Sequence, residues 1–195
     1  EIPLRLVGSE MCIRDRVNNA SNLFSVQHIV NFFKSKNRKV SYDTLSNYLG
    51  YIEEAFLAYK TERYNIKGKD VVAGNCKYYL NDLSFKNFLY PGFAYGVGYL
   101  LENAVYLELR RLGYIVYTGS FRDKEVDFVA MKDDRVIYLQ ATYMLETAQT
   151  MEREYAPLLT IGDNYEKYVV SMDEVQFPSN EGVRHIQAWN LKEIL

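Results

Sequence analysis

Two groups of side chains in this 195-residue sequence have the types and spacing to do chemistry. The first is basic. Lys34, Lys36, Arg38 and Lys39 lie just ahead of Ser41, Tyr42, Thr44 and Asn47, and cations at that density suit the phosphate oxygens of a nucleic acid. The second is acidic. The stretch EVDFVA sets Glu125 and Asp127 two residues apart, so on a strand both point to the same side. Clustered carboxylate oxygens are what a hard cation such as Mg²⁺ prefers. Both groups also admit plainer readings, the first as a solvated turn and the second as a half-buried strand with solvated acids. Other chemistry is thinly represented. His28 and His185 carry no ligand spacing, and Cys76 is the only cysteine after residue 15, which leaves no cysteine metal cluster and no intrachain disulfide framework. No GxxxxGK[ST] phosphate loop occurs, so these residues are not expected to bind ATP themselves.

The elements that must position these groups begin after an anomalous start. LVGSEMCIRDR, residues 6–16, has no heptad, no strand alternation and no clean cap. Back-translated, residues 1–15 resemble the transposase adapter used to build sequencing libraries, and they are set aside like any fusion scar. The expectation is that the native protein continues upstream and that this chain is a C-terminal part of it. The remainder, with 48% hydrophobic and 25% charged residues in the whole sequence, has the balance of a globular protein. No run approaches the roughly 18 apolar residues of a membrane span. A reducing cytoplasm is the expected location, with no membrane partner.

Charge divides the chain. Residues 16–90 hold 11 Lys/Arg against 6 Asp/Glu, and residues 91–195 hold 10 against 16. A basic front and an acidic rear imply two units with different partners. The break is expected near YPGFAYGVG, residues 90–98, where one proline and three glycines cluster.

In the front unit, SVQHIVNFFKSK places Val26, Ile29, Val30 and Phe33 at helical spacing with Ser25 as cap. A second helix starts at Ser41, its apolar face made by Leu45, Tyr48, Leu49, Ile52, Ala55 and Phe56. FLAYKTERY and CKYYLND read as two strands around the turn NIKGKD. Helix, turn, helix and hairpin is the outline of a winged helix. In that fold the start of the second helix enters the major groove, which would present Ser41, Tyr42, Thr44 and Asn47 to bases. Lys36, Arg38 and Lys39 would sit on phosphates, and Lys67 and Lys69 on the wing. Winged helices also bind other protein domains, and none of these helix-start residues is an arginine or glutamine suited to bidentate base reading.

In the rear unit, GYLLENAVYLELRRLGY is a helix stopped by Gly113. IVYTGSF, EVDFVAMK and RVIYLQATY read as three strands. A helix follows over ETAQTMEREYAPLL, broken by Pro157, and EKYVVSMD and HIQAWN read as two more strands. The fold class is therefore α/β (α+β). This order resembles the restriction-endonuclease-like (PD-(D/E)xK) nucleases, with a mixed sheet. The resemblance implies roles: Glu102 as the helix acid, Asp127 as the strand acid, Gln140 as the ligand on the next strand, with Glu125 nearby. These would hold Mg²⁺, which activates water, while a lysine orients that water. The lysine position is Thr142. Lys124, Lys132 and Arg153 are candidate replacements, but none stands at the motif position. The pattern matches the fold better than the reaction.

From about Phe24 to Leu195 the sequence resembles the C-terminal region of bacterial and archaeal AAA-type ATPases known as domain-of-unknown-function family 4143. The resemblance rests on VSYDTLSNYLGYIEEAFLAYKTERYNIKGK, LLENAVYLELRRLGYIVYTG, EVDFVA, YLQATYML and REYAPLLTIGDNYEKYVVSMDE. It implies an upstream P-loop ATPase module as partner, with ATP bound only there, and a nuclease lysine not retained. Three functions compete. One is a nucleic-acid-binding accessory region with a nuclease-like domain that does not cut. Another is an active metal nuclease. The third is a protein-interaction or homo-oligomerisation module, to which 18 tyrosines are suited.

Overall fold

A computed structural model describes residues 25–85 and 96–195. The adapter reading of residues 1–15 and the boundary expected at 90/91 lie outside the described residues. The protein is mixed α/β, with helices around a seven-stranded mixed sheet. Among the described residues, no helix is long and apolar enough to cross a membrane.

The chain divides into two compact units. The front one contains α1 (Val26–Ser35) and α2 (Tyr42–Glu54). Both begin at the serines read from the sequence. Ser25 Oγ accepts from His28 N–H at 3.3 Å, and Ser41 Oγ accepts from Thr44 N–H at 3.1 Å, each satisfying a helix-end donor worth about 1 kcal/mol. Ile29 and Phe33 of α1 and Leu45, Leu49 and Ile52 of α2 are buried. Asn37, at φ 55°, turns the chain between them. The long hairpin β1 (Ala58–Asn65) and β2 (Asp70–Leu80) follows. Its base belongs to this unit, where Tyr78 Oη donates to Glu53 Oε1 at 2.6 Å.

The tip of that hairpin, Glu62–Ala73, belongs to the rear unit. This departs from the expected division, which kept the whole hairpin in the front. The reason is apolar and local. Ile66, in the turn, is buried against Val126 and Val129, and its N–H donates to Ser120 O at 2.9 Å. The expected wing residues Lys67 and Lys69 are exposed, but they ride on the rear sheet.

The rear unit continues with α3 (Val97–Arg111), β3 (Ile115–Phe121), β4 (Lys124–Lys132), β5 (Arg135–Ala141), α4 (Ala148–Leu159), β6 (Glu166–Ser171), β7 (Val183–Gln187) and a 3₁₀ turn (Ala188–Glu193). The sheet order is β2-β1-β3-β4-β5-β6-β7. β3, β4 and β5 are antiparallel neighbours, and β5, β6 and β7 run parallel. This is the helix, three strands, helix, two strands read from the sequence. Two details differ. α4 runs through Pro157 to Leu159, since that proline falls in its last turn, and HIQAWN leaves the sheet at Gln187. Gly113 ends α3 at φ 88°, a backbone that glycine adopts without steric cost.

The two faces of the sheet carry different helices. Val126 and Val129 pack with Tyr155 and Leu158 of α4, whereas the Phe128 ring lies 6.3 Å from that of Tyr106 on α3. Gly119 of β3 is enclosed on the α4 side. A Cβ there would meet Val129 Cγ2 at 2.9 Å, Val126 Cβ at 3.0 Å and Ile66 Cδ1 at 3.1 Å.

Candidate functional site

Strand β4 places Asp127 by an irregularity. Tyr117 pairs with Val129 and Gly119 with Val126, so two residues of β3 span three of β4. Asp127 and Phe128 together oppose Thr118, which is a β-bulge. The extra residue resets the alternation, so that Phe128 meets α3 while Val126 and Val129 stay with α4. The last regular β4–β5 pair is Phe128 with Leu139. Beyond it, side chains take over the work of the ladder. Asp127 Oδ2 accepts from Ala141 N–H at 2.9 Å, and Gln140 Oε1 accepts from Asp127 N–H at 3.3 Å.

The two strand residues of the expected site are therefore brought together. Glu102 sits one helical turn before Tyr106 on α3. Glu125 precedes Asp127 by two residues on the same side of β4. Asp127 is only 8% exposed, and burial of a carboxylate is tolerated when its oxygens are hydrogen-bonded. Opposite it, Thr118 is fully buried, and its Oγ1 has no hydrogen-bond partner among the described residues.

Asp127 Oδ2 and Gln140 Oε1 are already committed to backbone N–H groups, and Gln140 brings no charge. Among the described residues no three His, Cys, Asp or Glu side chains group as a metal site. The lysine position is also empty of a cation. Thr142 is buried, with its N–H donating to Val170 O at 3.0 Å. None of the three proposed replacements reaches Asp127. Lys124 shares the α4 side of β4 with Val126, in a groove with Met151 and Tyr155. Lys132 stands five residues along the strand, about 16 Å away, and its Nζ donates to Leu112 O at 3.0 Å. Arg153 pairs with Glu154 at 2.6 Å on α4.

The basic group of the front unit is arranged differently. A groove of about 690 Å³ is lined by Lys34, Arg38, Lys39, Ser41 and Thr44, with Phe33 and Leu45 at its floor. Lys36, Tyr42 and Asn47 are exposed beside it. The N-terminus of α2 opens here, and its partial positive charge adds to the three cations. The carboxylate of Asp43 in the first turn works against them. Ser41 Oγ is already used, bonded to Thr44 N–H and 2.8 Å from Thr44 Oγ1.

One polar cluster had no signal in the sequence. His185 Nδ1 accepts from Phe177 N–H at 3.2 Å, so its Nε2 carries the proton and donates to Ser171 Oγ at 2.8 Å. Ser171 Oγ in turn donates to Asp173 Oδ2 at 2.7 Å, which also accepts from Leu145 N–H at 2.8 Å. All three side chains are buried. Burial holds the His185 pKa below its usual value, and the Asp173 charge partly opposes that. The residue types are those of a hydrolytic triad, but the direction is wrong. A general base needs an open lone pair facing the serine, and here the imidazole presents N–H. The cluster closes the 172–177 loop onto β6 and β7. Only the pairing of Val169 with His185, absent from any local pattern, brings these residues together.

No family profile matches this chain, and no solved structure matches it. An uncharacterized protein of Haemophilus influenzae is 34% identical over 154 residues, covering 79% of this chain and 38% of that protein. An uncharacterized protein of Methanocaldococcus jannaschii is 32% identical over 142 residues, covering 71% of this chain and 31% of that protein. The chain thus spans less than two fifths of the length of these curated relatives.

Proposed function

We propose that this chain is the C-terminal accessory region of an AAA-type ATP-binding protein, with a front unit that contacts nucleic acid and a nuclease-like rear unit that does not cut. The observation that carries the nucleic-acid part is the front groove. Three exposed cations flank the open N-terminus of a 13-residue helix, and backbone phosphates are the ligand that such a surface suits. The strand order and the meeting of Asp127 with Gln140 support nuclease ancestry. The loss of chemistry is supported by the same pair, whose oxygens act as a splint between β4 and β5, and by Thr142 at the lysine position. The relatives extend far beyond the matched region, which leaves room in them for an ATPase module.

The test is binding of labelled duplex, single-stranded and branched DNA across a salt series. Affinity is expected to fall steeply with salt, with a log–log slope of about −3 for three or four phosphate contacts. No binding at low salt to any of the three overturns the nucleic-acid reading. Cleavage with Mg²⁺ or Mn²⁺ that Asp127→Ala abolishes replaces the non-cutting rear unit with an active nuclease. A second reading, a protein-interaction module, is favoured by Tyr51 and Phe56, which stand 60% and 65% exposed in the front unit.

A further inference from the structure

β7 is the last strand of the sheet, and one short segment covers its outer edge. Gln176 Nε2 donates to His185 O. Ser179 Oγ donates to Val183 O at 3.2 Å, and Asn180 N–H donates to the same carbonyl at 2.9 Å. An uncovered edge offers a row of open backbone donors and acceptors to another strand, so residues 176–180 close the sheet on this side.

Little holds them there. Val175, Gln176 and residues 178–180 are exposed, and Phe177 is half-buried. The Phe177 ring meets the His185 ring edge-on at 5.0 Å, and Phe177 N–H donates to His185 Nδ1 at 3.2 Å. Segments with few buried apolar contacts are the first to open. The backbone bond at the centre of this one depends on a titratable acceptor.

The other ring nitrogen fixes the arrangement. His185 Nε2 donates to Ser171 Oγ, whose proton goes to Asp173 Oδ2. Leu145 N–H holds Asp173 in place, and Gln187 Nε2 holds Glu174 O, so the segment is free to move only beyond residue 174. Neutral His185 serves both neighbours, donating at Nε2 and accepting at Nδ1. Protonated, it donates at both nitrogens, and two N–H groups then face each other at Nδ1. Turning the ring brings no relief, since an imidazolium has no acceptor on either side. Asp173 is the charge that acts on the ring, and it favours the proton while burial opposes it. The other neighbours are neutral or engaged. β6 brings the Ser171 hydroxyl, and α4 brings the Tyr155 phenol, itself in the field of Asp173. Glu154 of α4 is paired with Arg153, and Arg184 of β7 with Glu166. Glu174 and Glu181 are exposed.

We propose that His185 is a latch released by acid: a proton on Nδ1 takes away the acceptor of Phe177 N–H, and residues 175–180 let go of the outer edge of β7 while the sheet stays folded. Burial disfavours the charged ring, so the latch is closed at neutral pH and opens below the usual imidazole value of about 6.5. The inference does not rest on the nucleic-acid reading, and its test contains no DNA.

The experiment is amide hydrogen exchange on the whole chain from about pH 7.5 to about pH 5, each rate corrected for the pH dependence of intrinsic exchange. Protection of residues 175–180 is expected to fall by about tenfold across this range, with β5 and β6 unchanged. His185→Asn puts a non-titrating carbonyl oxygen near the place of Nδ1, and its protection is expected to be equal at both ends of the range. Nuclear magnetic resonance of the parent chain gives a reading that needs no variant: the Phe177 amide signal is expected to shift with the same midpoint as the His185 ring. Protection of 175–180 that stays constant with pH overturns the inference. So does a loss that spreads at the same pH over β5 and β6, a loss that His185→Asn retains, or a Phe177 amide that does not follow the ring.

Discussion

The front groove and the β4 bulge both gather polar residues, and they treat them in opposite ways. In the groove, Lys34, Arg38 and Lys39 stand on the surface around a helix end. At the bulge, Asp127 and Gln140 are turned onto the backbone of each other's strands. A ligand can approach the first set from solvent. At the second it must displace intramolecular hydrogen bonds that close a frayed sheet ladder. The difference separates residues that can serve recognition from residues whose types suggest chemistry but whose bonds serve the fold.

The strongest way to break this comparison is to reverse the groove. Lys36→Glu, Arg38→Glu and Lys39→Glu together are expected to cut DNA affinity at low salt by about a thousandfold and to flatten the salt slope by about 3. Fluorescence anisotropy checks both, with an unchanged far-ultraviolet spectrum. Equal affinity would mean that the groove is only a solvated turn.

Next comes the bulge. Asp127→Ala leaves Ala141 N–H without its partner and removes a buried charge-assisted bond, which is expected to cost about 3 kcal/mol. Asp127→Asn keeps an accepting oxygen and is expected to lose about half as much. Urea unfolding measures the pair. A neutral Asp127→Ala would show that the carboxylate is held for a ligand rather than for the sheet.

Gly119→Ala tests the anchoring of the hairpin tip. The added methyl meets branched side chains of β4 and Ile66, and overpacking of this kind is expected to cost about 1–3 kcal/mol. A shift in the unfolding midpoint without a change in DNA affinity would place the effect in the sheet.

The smallest effect concerns His185. Its folded pKa is lowered by burial, so the unfolded chain binds the proton more readily. The stabilisation is fully present above the unfolded value, about 6.5, and is lost as pH falls below it. The urea midpoint is expected to decline between about pH 7 and pH 5, and less steeply in His185→Gln. An identical slope in the variant would remove His185 from that dependence.

Much of this was legible in the residues. Ser25 and Ser41 announce their helices because a cap is a contact between residues three apart. Gly113 marks a helix end because a positive φ selects glycine. The strands of the rear unit show in their apolar runs. The bulge did not show, since EVDFVA reads as even alternation and only the register against β3 exposes the extra residue. Thr142 could be read as a missing lysine from its place in a pattern. That Asp127 and Gln140 would bond to backbone could not.

Local physics, carried by short spacings along the chain, was enough to set the elements, their order, the charge division of the two halves and the residue types at the candidate site. Tertiary structure alone decided which hydrogen bonds those residues make, that Ile66 carries the hairpin tip into the rear sheet, and that His185, Ser171 and Asp173 form a closed relay. The physical reason is that a side chain's chemistry depends on which donors surround it, and those donors come from strands tens of residues apart that only meet when the sheet forms.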